Sequence, residues 1–202
     1  PGLVNSHTHV GMSFFRNFSD DVELMTWLNE KIWPLEDKLV AEDVYWASLL
    51  SQAEMIMTGT TTFADMYYFE DQTIKALEES KMRSQISRGL TLEDKNFEKL
   101  KENINLYKDY QNSLDGKVSI ALGPHAVYTT DKDYLKEISK KAKENNIPIH
   151  IHLSETKIEN DQCYERFKQS PTEVFEECRI FENKTIAAHG LYLSDSDLNI
   201  LS

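Results

Sequence analysis

Two cysteines, Cys163 and Cys178, are all the thiol chemistry this 202-residue chain holds. They form neither a disulfide framework nor a Cys-x-x-Cys metal site, and a reduced, cytoplasmic setting is the simplest expectation. Glycine and proline are also sparse, at seven and five. They fall mainly at boundaries between predicted elements, and no low-complexity tract or linker is visible. No apolar run approaches the roughly 20 residues that span a bilayer, and no signal peptide is visible. Positive charge is the scarcer sign, with 22 Lys and Arg against 34 Asp and Glu, a net charge of −12 without an acidic block. That balance argues against a grip on nucleic acid, which needs basic clusters to neutralise phosphates, and against an anionic membrane surface. What is present is ordinary: 40% hydrophobic and 10% aromatic, enough for the core of one domain.

Short β-branched runs alternate with longer amphipathic ones. Strands are predicted at Gly2–Asn5, Thr60–Ala64, Arg83–Ser87, Val118–Leu122, Ile147–Ile151 and Thr185–Ala188. Apolar residues at three- and four-residue spacing predict helices over Val22–Trp33, Ala41–Met57, Asp71–Ser80, Asn96–Tyr110 and Asp131–Glu144. A shorter helix is expected over Pro171–Cys178, capped by Ser170, and another opening near Ser194–Asp197. This alternation implies an α/β fold with a parallel sheet. A (β/α)8 barrel takes about 250 residues, so six units amount to an open doubly wound sheet or a fragment of a barrel.

The histidines favour the barrel. Five of six lie at or just past a predicted strand end: His7 and His9, then His125, His152 and His189, with His150 two residues before His152. In a barrel such ends converge on one mouth. A lone histidine there is an ordinary hydrogen-bonded residue. Two in His-x-His on one strand face the same side and can share a metal, and neutral imidazole suits zinc. Glu155 follows His152 by three residues. Alone it reads as a carboxylate at a helix N-terminus; beside a histidine site it reads as a proton carrier.

In order, PGLVNSHTH, GTTTFADMY, SRGLT, GPHAVYT, HIHLSET and TIAAHG resemble the amidohydrolase superfamily, specifically its cytosine-deaminase and chlorohydrolase-like branch. The nearest likeness is to its deaminases of adenosine-type nucleosides. The resemblance implies a metal-dependent (β/α)8 TIM barrel, present here as strands one to six, with strands seven and eight and the flanking β-sandwich segments outside residues 1–202. It implies one divalent metal held by His7, His9 and His152, with an aspartate after strand eight as a further ligand. Zinc is the usual ion, and iron fits the same donors.

The resemblance further implies that Glu155 shuttles protons and that His189 stands beside the metal. It sets His125 against the nucleoside, Glu36 on the ribose hydroxyls and Arg88 near the far end of the substrate. Trp27 would line the purine pocket, although a helix-borne Trp also suits a core. The stretch EDKNFEKLKEN departs from the family pattern and offers no second arginine. His150 reads as an interior residue, not a ligand. The implied activity is hydrolytic deamination of 5-methylthioadenosine or S-adenosylhomocysteine. The implied partner is a small-molecule nucleoside, with neither nucleic acid nor membrane. Rival readings are a guanine or pterin deaminase, a chlorohydrolase, or an inactive fragment lacking its last ligand. Six units would leave two bare sheet edges and bare apolar faces, which favours association, a homo-oligomer being one form of it, or misfolding.

Overall fold

The computed structural model describes residues 1–92 and 94–202; Glu93, in EDKNFEKLKEN, lies outside the described residues. The chain divides into two compact units, residues 1–84 and 85–202.

In the first unit, β1 (Leu3–Thr8) and β2 (Thr60–Tyr67) pair in parallel. Helix α1 (Ala41–Met57) links them, and α2 (Glu70–Ser80) follows β2. The second half of β2, Phe63 through Tyr67, is buried on both faces, as a covered parallel strand should be. Ser48 and Gln52 of α1 meet Thr73 of α2 by hydrogen bonds of 3.1 and 3.4 Å. The helix expected over Val22–Trp33 is instead a broken stretch running to Glu36. It contains a π-helical segment over Trp27–Ile32 and an α turn over Trp33–Glu36. The Trp33 N–H returns to the Leu28 carbonyl, five residues back. Pro34, next in line, has no N–H with which to continue an α ladder, and a local widening accommodates it.

The second unit carries β3 (Arg83–Leu90, starting two residues before the boundary), β4 (Val118–Pro124), β5 (Ile149–Leu153) and β6 (Thr185–His189), in that sheet order. The β4–β5 and β5–β6 pairs are parallel. Helices α3 (Glu98–Tyr110), α4 (Lys132–Asn145), α5 (Lys157–Phe167), α6 (Pro171–Glu177) and α7 (Asp195–Leu201) complete it. Leu122, Ile149, Ile151 and Leu153 from the strands pack with Leu135, Ile138 and Ala142 of α4 and Val174 and Phe175 of α6. Helix α3 starts two residues later than expected, because Asn96 and Phe97 are left-handed and Asp94 caps the N–H groups of Lys99 and Leu100. Helix α5 was not anticipated from apolar spacing, since it buries only Glu159 and Cys163. Its signal was a cap: Thr156 Oγ1 accepts from Glu159 N–H at 3.1 Å, the Thr-x-x-Glu pattern. Gly123 in β4 lies against β3, where a Cβ would come within 2.5 Å of the Arg88 carbonyl oxygen. Among the described residues no helix is long and apolar enough to cross a membrane.

Candidate active site

In the first unit the His-x-His pair is not positioned by plain strand alternation. Asn5 pairs with Phe63 and Thr8 with Asp65, so β1 carries one residue more than β2 across this interval. That is a bulge, and His7 lies within it. The strand therefore continues to Thr8, past the expected end at Asn5. Buried Asp65 holds the segment: its Oδ1 accepts from the Thr8 hydroxyl at 2.7 Å and from the Val10 N–H at 2.8 Å. His9 Nδ1 donates to the Met66 carbonyl at 2.5 Å, which leaves Nε2 as the lone-pair nitrogen. The His7 and His9 rings meet edge to face with centroids 4.8 Å apart.

Asp65 was quoted within GTTTFADMY but given no role; nothing in the sequence alone points from it to His-x-His. Beside it Glu70 is equally buried, accepts from the Tyr67 N–H at 2.8 Å, and hydrogen-bonds to the Asp65 carboxyl. Burial pushes Asp65 up to about 7, against its hydrogen bonds from Thr8 and Val10, and raises Glu70 well above the carboxylate range. Tyr67 was likewise unassigned. Its hydroxyl donates to Glu36 Oε1 at 2.7 Å, and its ring lies 6.4 Å from that of His9. Burial raises Glu36 above its ordinary value, opposed by that Tyr67 bond. Trp27 and His9 both line an open cleft of about 740 Å³, together with Asn5, Thr8 and Met12. Trp27 thus borders a cavity rather than filling a core.

In the second unit the C-terminal ends of β5 and β6 and the turns after β4 and β5 gather four of the expected residues. His152 is buried, and its Nδ1 and backbone N–H both donate to the His125 carbonyl, at 2.8 and 3.1 Å. Its ring stacks on that of His189 with centroids 5.4 Å apart and lies 4.7 Å from that of His125. His189 ends β6 with a left-handed φ of 76°, a conformation that non-glycine residues rarely adopt and that clusters at functional sites. His189 Nε2 stands 3.6 Å from Glu155 Oε1. Thr129 Oγ1 donates to the Ala126 carbonyl and so accepts from His125 Nδ1 at 2.9 Å.

His150 is fully buried with Nδ1 3.3 Å from Ser87 Oγ, an interior residue as expected. Arg88 is less openly placed than a tail-binding arginine need be. Its Nε donates to Glu102 Oε2 at 2.8 Å, and its guanidinium also reaches the Gly89 carbonyl. Glu159, also unassigned from sequence, is buried, and burial together with the nearby Glu155 charge pushes it up to about 7, against hydrogen bonds from Glu155 and Thr156.

These raised carboxyls contribute to the pH dependence of stability with a sign opposite to that of Glu54, Glu144, Glu177 and Glu182, which hydrogen bonds from Arg16, Lys141, Lys132 and Lys143 hold low. Asp65 and Glu159 ionise near 3.8 and 4.5 when unfolded and near 7 when folded. Between those values the folded chain binds more protons than the unfolded one, so stability falls as pH rises. Thermal melts are expected to show the Tm of the parent falling relative to that of Asp65→Asn from about pH 4 to about pH 7.

A family profile described as "Amidohydrolase family" matches residues 1–202. A 5-methylthioadenosine/S-adenosylhomocysteine deaminase from Thermoanaerobacter pseudethanolicus is 48% identical over 100% of this chain and 47% of its own length. A 5'-deoxyadenosine deaminase from Methanosphaera stadtmanae is 43% identical over 100% of this chain and 48% of its own. Among solved structures, a zinc-bound adenosine deaminase from Xanthomonas campestris superposes with a TM-score of 0.91 at 28% identity, covering 99% of this chain and 46% of that one. The chain thus spans about half the length of the curated relatives it matches. Its fold is α/β, six βα units of the (β/α)8 barrel type.

Proposed function

The chain belongs to the amidohydrolase family, and from that premise we propose hydrolytic deamination of an adenosine-type nucleoside. The substrate is 5-methylthioadenosine or S-adenosylhomocysteine; the products are the inosine analogue and ammonia. The observation that carries this reading is the group at the ends of β5 and β6. There Glu155 faces His189 at 3.6 Å, and His189 stacks on His152. The deaminase names of relatives 43–48% identical over the whole chain support the nucleoside over a guanine, a pterin or a chlorinated ring.

We assign His7, His9 and His152 as ligands of one divalent cation. The donor set fits. His9 and His152 each donate Nδ1–H to a backbone carbonyl, which fixes the tautomer that presents Nε2 to a metal. Zinc is the proposed ion, as in the solved X. campestris enzyme, and a further ligand from an aspartate after strand eight is expected by the family pattern. A cation bound there supplies Lewis acidity, lowering the pKa of a water toward neutrality.

The remaining roles belong to the protein's own groups. Glu155 takes a proton from the attacking water and gives it to the ring nitrogen beside the carbon that bears the amino group. Water oxygen bonds to that carbon; its second proton passes to the amino group, the C–N bond breaks as the C=O forms, and ammonia leaves. His189 stabilises the negative charge that develops on the incoming oxygen. Glu36 accepts from the ribose hydroxyls, His125 contacts the nucleoside and Trp27 lines the purine pocket. Arg88 takes the far end of the substrate, where a homocysteine carboxylate would compete with Glu102. A cytoplasmic setting fits such a substrate.

The test is ammonia release from 5-methylthioadenosine by the intact protein. Turnover is expected, and Glu36→Gln should raise KM for nucleosides by about 10-fold or more. No release from any adenosine derivative, with hydrolysis of another ring instead, would remove this assignment.

A further inference from the structure

We propose that Glu159 is the positioning residue for Glu155. The inference rests on the proton-carrying role of Glu155 given above, but its geometry lies wholly within the turn after β5.

Glu159 stands in the first turn of α5, only 3% exposed. A glutamate three residues past a threonine cap ordinarily reaches back to the N–H of the cap residue itself. Glu159 reaches further, and its Oε2 accepts from the N–H of Glu155 at 2.8 Å, one residue before the cap. Ser154 and Thr156 contribute backbone N–H groups to the same carboxylate. The Ser-Glu-Thr turn is thus wrapped around one buried side chain, with Ser154 held at a left-handed φ of 47°. Capping alone does not require this burial. The second oxygen, Oε1, is buried with no hydrogen-bond partner among the described residues, a costly state. Glu155 and the Tyr128 and Cys163 side chains interact electrostatically with Glu159, and none of the three is a cation.

What the arrangement achieves is direction. Anchoring the Glu155 nitrogen fixes the Cα from which its side chain extends, and that side chain then reaches His189. A proton carrier displaced by about 1 Å can lose about 100-fold in rate. Substrate affinity and metal content depend on other residues, so they should not change.

Two variants separate this role from simple helix stability. Glu159→Leu keeps the volume and removes the acceptor. Glu159→Gln keeps an amide oxygen for the Glu155 N–H. In the intact protein, Glu159→Leu is expected to lower kcat for ammonia release by about 10- to 100-fold with KM and bound metal unchanged. Glu159→Gln should recover to within about threefold of the parent. Amide hydrogen exchange at Glu155 should be slow in the parent and Glu159→Gln and fast in Glu159→Leu. Unchanged kcat in Glu159→Leu, or a joint loss of metal and kcat, overturns the proposal. So does unprotected Glu155 exchange in the parent. A parent that releases no ammonia but protects the Glu155 amide sinks the deaminase reading and leaves the hydrogen bond standing.

Discussion

Glu155→Gln is expected to lower kcat by about 100- to 10,000-fold and to leave KM near its original value. The substitution is nearly isosteric, so it preserves the approach to His189, 3.6 Å away, and the backbone bond to Glu159. What it removes is a group that can accept and release a proton. In deamination a proton must leave the attacking water and arrive on a ring nitrogen, and an amide does neither. Steady-state kinetics with 5-methylthioadenosine and metal analysis of the same sample check the point together. A variant with parent-like kcat rules out Glu155 as the carrier. A variant that has also lost its metal shows instead that Glu155 supports the ligand set.

His152→Ala is expected to weaken metal binding by at least about 100-fold and to abolish turnover. His152 is buried and held twice by the His125 carbonyl, through its ring and through its backbone. Alanine keeps the backbone bond and removes the imidazole, so the strand survives while the donor goes. Chelation of the parent should reproduce the loss, and added zinc should reverse it in the parent only. Emission spectrometry on dialysed protein reads the metal directly. Full metal occupancy in His152→Ala contradicts the assignment. Absence of metal from the parent itself favours the rival view that these residues form an inactive part of a longer enzyme.

Much of this was legible in the chain. Short β-branched runs located all six strands, and apolar residues at three- and four-residue spacing located most helices, with Ala41–Met57 matching at both ends. Burial on one face imposes the helical repeat, and burial on both faces makes a parallel strand read as a short apolar run. The departures share a cause: interactions that periodicity does not encode. Strand β1 outran its apolar segment because Thr8 is held by Asp65, 57 residues away. The helix around Trp27 broke because Pro34 withholds one N–H. Helix α5 escaped notice because its buried residues are a glutamate and a cysteine rather than an apolar stripe.

The candidate site divides in the same way. The ordered motifs carried the candidate histidines and Glu155, because imidazole donors are rare enough in this chain to count, whereas Glu36 came from the family resemblance alone. The sequence by itself determined the α/β frame and supplied the groups of the proposed chemistry: imidazoles and a carboxylate after HIHLS. The tertiary structure alone decided which groups hold those residues in place. Asp65 grips the Thr8–Val10 segment, Tyr67 engages Glu36, Glu102 pairs with Arg88, and Glu159 anchors the turn that carries Glu155. Such supports are short-range contacts between residues that, for the most part, lie far apart in the chain. No local pattern announces them, because a hydrogen bond depends on ångströms of separation and not on spacing along the chain.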